Sequence, residues 1–137
     1  MSIDPIFIVD DDVDDQDFIK TIWAELHYDN PLIFFQDSEK VLFHLKSDPT
    51  VPFIILCDIN VYPMNGFELK KKIQEDPNIK YKSVPFIFWS TSASNEQVKK
   101  AYDLGGNGFF IKENRLEDLK KSFIKIVEYW FMSKVPV

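Results

Sequence analysis

The chain has 137 residues, 45% of them apolar, and a formal net charge of −6. That length suits one domain with a core of its own, without disulfide or metal staples, and the apolar fraction excludes a disordered tail. The acidic balance argues against a nucleic-acid partner, whose phosphates need a basic face, and by itself signifies solubility.

Ile6-Phe7-Ile8-Val9 reads as a first strand, running into Asp10-Asp11-Asp12. Phe18, Ile19, Ile22, Trp23 and Leu26 then recur at helical spacing. Asp14, Asp15 and Asp17 are expected in the first turn of that helix, where acids suit the positive end of the dipole. Tyr28-Asp29-Asn30-Pro31 breaks it. Leu32-Ile33-Phe34-Phe35 is a second strand, and Asp37-Ser38 offers a cap for a helix carrying Val41, Leu42 and Leu45. Ser47-Asp48-Pro49 stops that helix. Phe53-Ile54-Ile55-Leu56-Cys57-Asp58 follows, an apolar run closed by an aspartate, which is the pattern of a strand buried on both faces.

Gly66 opens a third helix with Leu69 and Ile73 one turn apart, ended by Asp76-Pro77-Asn78. Phe86-Ile87-Phe88-Trp89 is a fourth strand, closed by Ser90-Thr91-Ser92. Ser94 or Asn95 caps a helix with Val98, Ala101 and Tyr102, and Gly105-Gly106 terminates it. Phe109-Phe110-Ile111 is a fifth strand ending in Lys112, and the last helix carries Leu116, Leu119, Phe123, Ile126 and Trp130 on one face. Residues 133–137 are too few for an output domain, so a single domain over 1–137 is expected. Met1-Ser2-Ile3-Asp4-Pro5 lacks the character of a signal peptide. No apolar run approaches the roughly 20 residues of a membrane span. With Cys57 as the only cysteine, a soluble, cytoplasmic protein without a membrane partner follows, and Cys57 itself reads as a buried structural thiol. His27 and His44 lie near helix ends with no metal-binding spacing and read as structural or surface residues.

Five strand–helix repeats imply an α/β fold, a parallel sheet covered on both faces, because right-handed crossovers force that layering. The strand ends then share one edge, bringing Asp10-Asp11, Asp58, Ser90 and Lys112 together. The second strand ends in Gln36, which suits an edge strand and the order 2-1-3-4-5. Three neighbouring carboxylates repel unless a cation intervenes, and Mg²⁺ takes such oxygens while leaving room for a phosphate. A carboxylate can attack phosphorus, with a lysine and a hydroxyl receiving the phosphoryl oxygens.

Over essentially its whole length the chain resembles the receiver domains of two-component response regulators, CheY-like flavodoxin-type (βα)5 domains. The residues carrying the resemblance are Ile8-Val9-Asp10-Asp11, Leu56-Cys57-Asp58, Met64-Asn65-Gly66, Val84-Pro85 before the fourth strand, and Gly108-Phe109-Phe110-Ile111-Lys112. The resemblance implies that Asp58 is the phosphoacceptor. Mg²⁺ (or Mn²⁺) would be held by Asp11, Asp58 and the Asn60 backbone carbonyl, with Asp10 acting through water. Lys112 and Ser90 would contact the phosphate, Ser90 and Phe109 would form the switch, and Asn60 and Ser92 would tune phosphoryl lifetime.

It further implies a histidine kinase or phosphotransfer protein as donor, a downstream protein docking on the face of the fourth helix, fifth strand and last helix, and a possible homodimer. Three departures stand out. Val61-Tyr62 precede a shifted Pro63, Asn65 replaces an aspartate, and Glu113 replaces a proline in a cis bond, which bears on how Lys112 points. The alternatives are a degenerate, unphosphorylated receiver used as a protein-interaction module, an aspartate-nucleophile phosphatase, and a flavodoxin-like binding module. A phosphatase would need a second acid where Asn60 stands. A flavin phosphate would need a glycine or Ser/Thr cradle where Asp10 to Asp15 stand.

Overall fold

The five apolar runs form the parallel strands β1 (Ile6–Val9), β2 (Leu32–Phe35), β3 (Ile54–Asp58), β4 (Phe86–Ser90) and β5 (Gly108–Ile111), in the order β2-β1-β3-β4-β5. The intervening helices are α1 (Val13–Leu26), α2 (Ser38–Ser47), α3 (Gly66–Glu75), α4 (Asn95–Asp103) and α5 (Leu116–Met132). This is a computed structural model, and it describes residues 3–80 and 82–136. Met1 and Ser2 of the N-terminal stretch, and Val137 of the tail, lie outside the described residues.

The central strands β1, β3 and β4 are buried at every position, yet side-chain alternation still sorts their residues into two layers. Phe7, Val9, Ile55, Cys57 and Phe88 pack with Val41 and Leu45 of α2, Leu69 and Ile73 of α3, and Ala101 of α4. Ile6, Ile8, Ile54, Leu56, Ile87 and Trp89 face Ile19, Ile22 and Trp23 of α1 and Leu119, Phe123, Ile126 and Val127 of α5. Fully burying one such side chain contributes about 1.5–3 kcal/mol. The reversal of strand order between β1 and β3 opens the crevice where sheets of this kind hold their ligands.

Side-chain caps fix where α1 to α4 begin. Asp12 Oδ1 accepts from Asp14 N at 2.9 Å and Asp15 N at 3.2 Å. Asp37 caps α2, while Asn65 with Glu68 and Ser94 with Gln97 close reciprocal boxes on α3 and α4. The end of α1 is a left-handed His27 with φ of 57°, one residue before the expected break.

Several boundaries and faces differ from the sequence reading. β3 begins at Ile54, β4 includes Ser90, and β5 begins at Gly108. Asp17 lies beyond the first turn of α1, whose acids are Asp14 and Asp15. Tyr102 is 55% exposed and Leu116 58% exposed, so Ala101 alone anchors α4 and α5 begins its buried stripe at Leu119. Tyr102 borders the groove along β5, an edge strand with no further strand on its outer side among the described residues, and Leu116 is the first residue of its helix. His44 packs edge-on against the Phe7 and Phe35 rings, as a structural residue.

Candidate functional site

β1 and β3 lie side by side in register, with Val9 opposite Cys57, so the residues that follow leave the sheet together. Asp10 is fully buried, Asp58 nearly so, and Asp11 points into solvent. One carboxylate oxygen from each of Asp10, Asp11 and Asp58 lies within 4.8 Å of the others. Asp10 is fixed through both side chain and backbone. Its Oδ1 accepts from Asp12 N at 2.9 Å, and its carbonyl accepts from the buried Gln16 side chain at 2.8 Å.

Asp58 Oδ1 accepts from Asn60 N at 2.9 Å, and Oδ2 accepts from Lys112 Nζ at 2.8 Å. The lysine reaches back from the end of β5, where its backbone N donates to Ser90 O at 2.7 Å. On the way its ammonium passes 5.6 Å from the centre of the Trp89 ring. It also pairs with Asp10 Oδ2 at 2.8 Å and Asp15 Oδ2 at 2.6 Å. The one cis peptide bond among the described residues is Tyr62–Pro63, so the Lys112–Glu113 bond is trans. The expected departure at Glu113 leaves the lysine aimed at Asp58 all the same.

Burial pushes the Asp10 carboxyl up to about 6, against the lowering pull of the Lys112 ammonium, and the Asp58 charge adds to the rise. Burial alone would lower Lys112, but the carboxylates of Asp10, Asp15 and Asp58 around it outweigh that and hold the ammonium above its ordinary value. Cys57 is fully buried, its thiol is pushed well up by that burial, and it contacts the Asp58 carbonyl oxygen at 3.2 Å. It is a structural thiol, as expected.

The remaining predicted residues sit around this centre. Ser90 is buried at the end of β4, and its Oγ accepts from Ser92 N at 3.3 Å. Ser92 and Asn60 are exposed at the mouth. Phe109 stands away from the carboxylates, half-buried against the layer of α2, α3 and α4. Past Asp58, the loop with the shifted Pro63 is tied to the start of α2. Ser38 N donates to Tyr62 O at 3.0 Å, and the buried Ser38 Oγ accepts from Met64 N at 2.9 Å. The loop ends where Gly66 N donates to Ile59 O at 2.8 Å, and a Cβ at Gly66 would stand 3.0 Å from both Asp58 O and Ile59 Cα. Only glycine lets α3 begin this close to β3.

Asp15 joins the site in a role the sequence does not assign it. The sequence places Asp14 and Asp15 in the first turn of α1, as partners of its dipole. Asp12 is the cap and Asp14 is exposed, but Asp15 is half-buried on Lys112. Its place in the first turn of α1, the helix that begins beside the Asp10-Asp11 strand end, was the available signal.

The acidic cluster fits a hard divalent cation. It offers carboxylate oxygens only, it is exposed on the Asp11 side, and its single lysine does not match its negative charge. Asp10 Oδ2 is buried with the ammonium as its counterion and no well-aligned hydrogen bond.

The sequence matches the response regulator receiver domain family over residues 6–124. It is 28% identical over 124 residues to the chemotaxis protein CheY-3 of Vibrio cholerae serotype O1, covering 90% of this chain and 91% of that protein. Against the response regulator Rcp1 of Synechocystis sp. it is 25% identical over 130 residues, covering 91% and 87%. The solved structure of the phosphorylated cyanobacterial phytochrome response regulator RcpA superposes with a TM-score of 0.89 at 25% identity, covering 99% of this chain and 100% of that one. The Mn²⁺-bound form of Rcp1 shares the fold, with a TM-score of 0.87 at 24% identity over 98% and 99% of the two chains. Among the described residues no helix is long and apolar enough to cross a membrane.

Proposed function

The chain belongs to the response regulator receiver domain family of two-component signalling, and from that premise we propose that Asp58 accepts a phosphoryl group from a phosphohistidine donor. The observation that carries this reading is the Lys112 ammonium, 2.8 Å from Asp58 Oδ2 beside the acidic cluster. Asp58 is a carboxylate with one oxygen held by a backbone N–H, and the cationic donor beside it is ready to receive the charge of an incoming group.

Asp10, Asp11 and Asp58 would hold Mg²⁺ or Mn²⁺, with the Asn60 backbone carbonyl as a further oxygen and Asp10 acting largely through water. Such an ion offsets the charge of the carboxylates and the phosphoryl oxygens. The Asp58 carboxylate attacks phosphorus, the bond from phosphorus to the donor imidazole breaks, and the electron pair leaves with the imidazole. Lys112 turns an N–H from Asp58 Oδ2 to a phosphoryl oxygen, which stabilises charge as it develops. The Ser90 hydroxyl gives a second hydrogen bond. Asn60 and Ser92, exposed at the mouth, govern the approach of the water that hydrolyses the product.

Occupation of Ser90 by the phosphoryl group shifts a two-state equilibrium in which Phe109 repacks. The face that changes is that of α4, β5 and α5, where Tyr102, Phe109, Phe110, Tyr129 and Trp130 border a groove of about 320 Å³. That face then meets a downstream protein or a second copy of the chain. The domain is a signalling element whose own phosphorylation and dephosphorylation are the only chemistry it performs.

Incubation with Mg²⁺ and acetyl phosphate, read by intact mass, tests the proposal. One phosphoryl adduct is expected, absent with chelator and absent in Asp58→Asn. No adduct, or one that persists in that variant, would contradict it.

A further inference from the structure

We infer that Asp15 is the positioning residue for Lys112: its carboxylate, with that of Asp10, pairs with the ammonium and holds it where it donates its hydrogen bond to the acceptor Asp58. This inference rests on the phosphoacceptor reading of Asp58.

A lysine ammonium has three N–H donors and no preferred direction of its own. Here its nitrogen has three carboxylate oxygens around it, Asp10 Oδ2 at 2.8 Å, Asp15 Oδ2 at 2.6 Å and Asp58 Oδ2 at 2.8 Å. Of the three, the Asp58 contact is the one aligned as a hydrogen bond, and those to Asp10 and Asp15 are ion pairs. Asp10 and Asp58 come from strand ends, but Asp15 comes from α1, and its own backbone N is held on the Asp12 cap at 3.2 Å. The helix cap thereby sets where the third carboxylate stands.

The Lys112 side chain spans the width of β4 to reach this cluster, with several rotatable bonds to order on the way. Two fixed carboxylates, at 2.8 Å and 2.6 Å, hold the nitrogen in place with its aligned hydrogen bond on Asp58. When a phosphoryl group arrives on Asp58, the N–H now on Asp58 moves to a phosphoryl oxygen while the ion pairs with Asp10 and Asp15 stay in place. Preorganisation of this kind matters because small misplacements of a catalytic group cost large factors in rate.

Asp14 provides the contrast. It lies in the same first turn, carries the same charge and is exposed. An effect of charge alone, or of the helix dipole, would be shared by both residues. Aiming the lysine would belong to Asp15 alone.

The test uses the full chain at saturating Mg²⁺ with acetyl phosphate as donor, and follows the adduct by intact mass in Asp15→Ala, Asp15→Asn and Asp14→Ala. Asparagine keeps an acceptor oxygen where alanine has none, and both remove the same charge. We expect Asp15→Ala to be slowed about tenfold, Asp15→Asn to remain within about threefold of wild type, and Asp14→Ala to be unchanged. Mg²⁺ affinity should change less than about threefold in Asp15→Ala, because the residue acts on the lysine.

Wild-type rates in Asp15→Ala, equal slowing in both Asp15 variants, equal slowing in Asp14→Ala, or a loss of Mg²⁺ affinity matching the loss of rate would each overturn the inference. A second readout needs neither metal nor donor. The ¹⁵N ammonium signal of Lys112 should be slowly exchanging in wild type and Asp15→Asn and broadened away in Asp15→Ala; a signal unaffected in Asp15→Ala would also overturn the inference. If wild type takes no phosphoryl group, the phosphoacceptor reading fails while the placement of Lys112 still stands or falls on that signal.

Discussion

The buried Asp10 carboxyl is pushed up to about 6 from an ordinary 3.8, so the folded chain binds a proton there across a range in which the unfolded chain has released it. The contribution of Asp10 to stability therefore falls as pH rises from about 4 to about 6, by the slope that proton uptake on folding dictates. Asp10→Asn removes this dependence and keeps the size of the side chain. In chelator-containing buffer, the stability of Asp10→Asn relative to wild type should grow between pH 4 and pH 6 and be level above it, as measured by urea unfolding. A difference that stays flat through this window would show that Asp10 ionises normally. Asp10, Asp11, Asp58 and Lys112 were legible in sequence because each closes an apolar run, and a parallel sheet gathers such ends. Asp15 was not, because one acid among several at a helix start reads as a dipole partner. Lys70 was not legible either. Within Lys70-Lys71-Lys72 it looks solvated, yet it is 3% exposed, with its ammonium on Gln74 Oε1 at 3.0 Å and 5.5 Å from the centre of the Phe86 ring.

At the scale of elements, the junction of α4 with β5 decides where Lys112 starts its reach. Asn107 joins it to β4 reciprocally, its N donating to Phe86 O at 2.8 Å and its Oδ1 accepting from Phe86 N at 2.9 Å. Gly105 turns the chain with φ of 86°, and Gly106 comes so close that a Cβ there would stand 2.7 Å from Ala101 O and from the Phe88 ring. Gly106→Ala should cost about 1–3 kcal/mol, since neither a carbonyl nor a packed ring can yield that space without moving α4 or β4. Urea unfolding measures it, and an unchanged midpoint would mean the junction is looser than its contacts imply. The sequence reading placed this turn correctly from Gly105-Gly106. It misjudged Tyr102, because helical spacing shows that a residue lies near an apolar stripe but not whether β5 has a neighbour to cover it, and Leu116, which lies at the exposed start of α5.

The whole molecule is a sheet whose order, β2-β1-β3-β4-β5, follows from alternating strands and helices with the Gln36 strand at one edge. That order puts carboxylates from β1 and β3 beside a lysine from β5, with β4 between them. A divalent ion binding only the folded cluster should stabilise the entire domain. At Mg²⁺ a hundredfold above its dissociation constant, mass action gives about 3 kcal/mol, or a rise of roughly 5–10 °C in unfolding temperature. The exposed Asp11, changed to Asn, should lose most of that rise while keeping the metal-free melting temperature, whereas an equal rise in both would remove Asp11 from the metal site. What no strand pattern carries is the loop around Tyr62 and Pro63, whose course depends on bonds to Ser38 of a different element. The most direct measurement is borohydride reduction of the protein after reaction with acetyl phosphate and Mg²⁺, followed by peptide mapping. An acyl phosphate on Asp58 is reduced to homoserine, so the prediction is homoserine at position 58 and nowhere else; an intact Asp58, or homoserine at another aspartate, would contradict its role as phosphoacceptor.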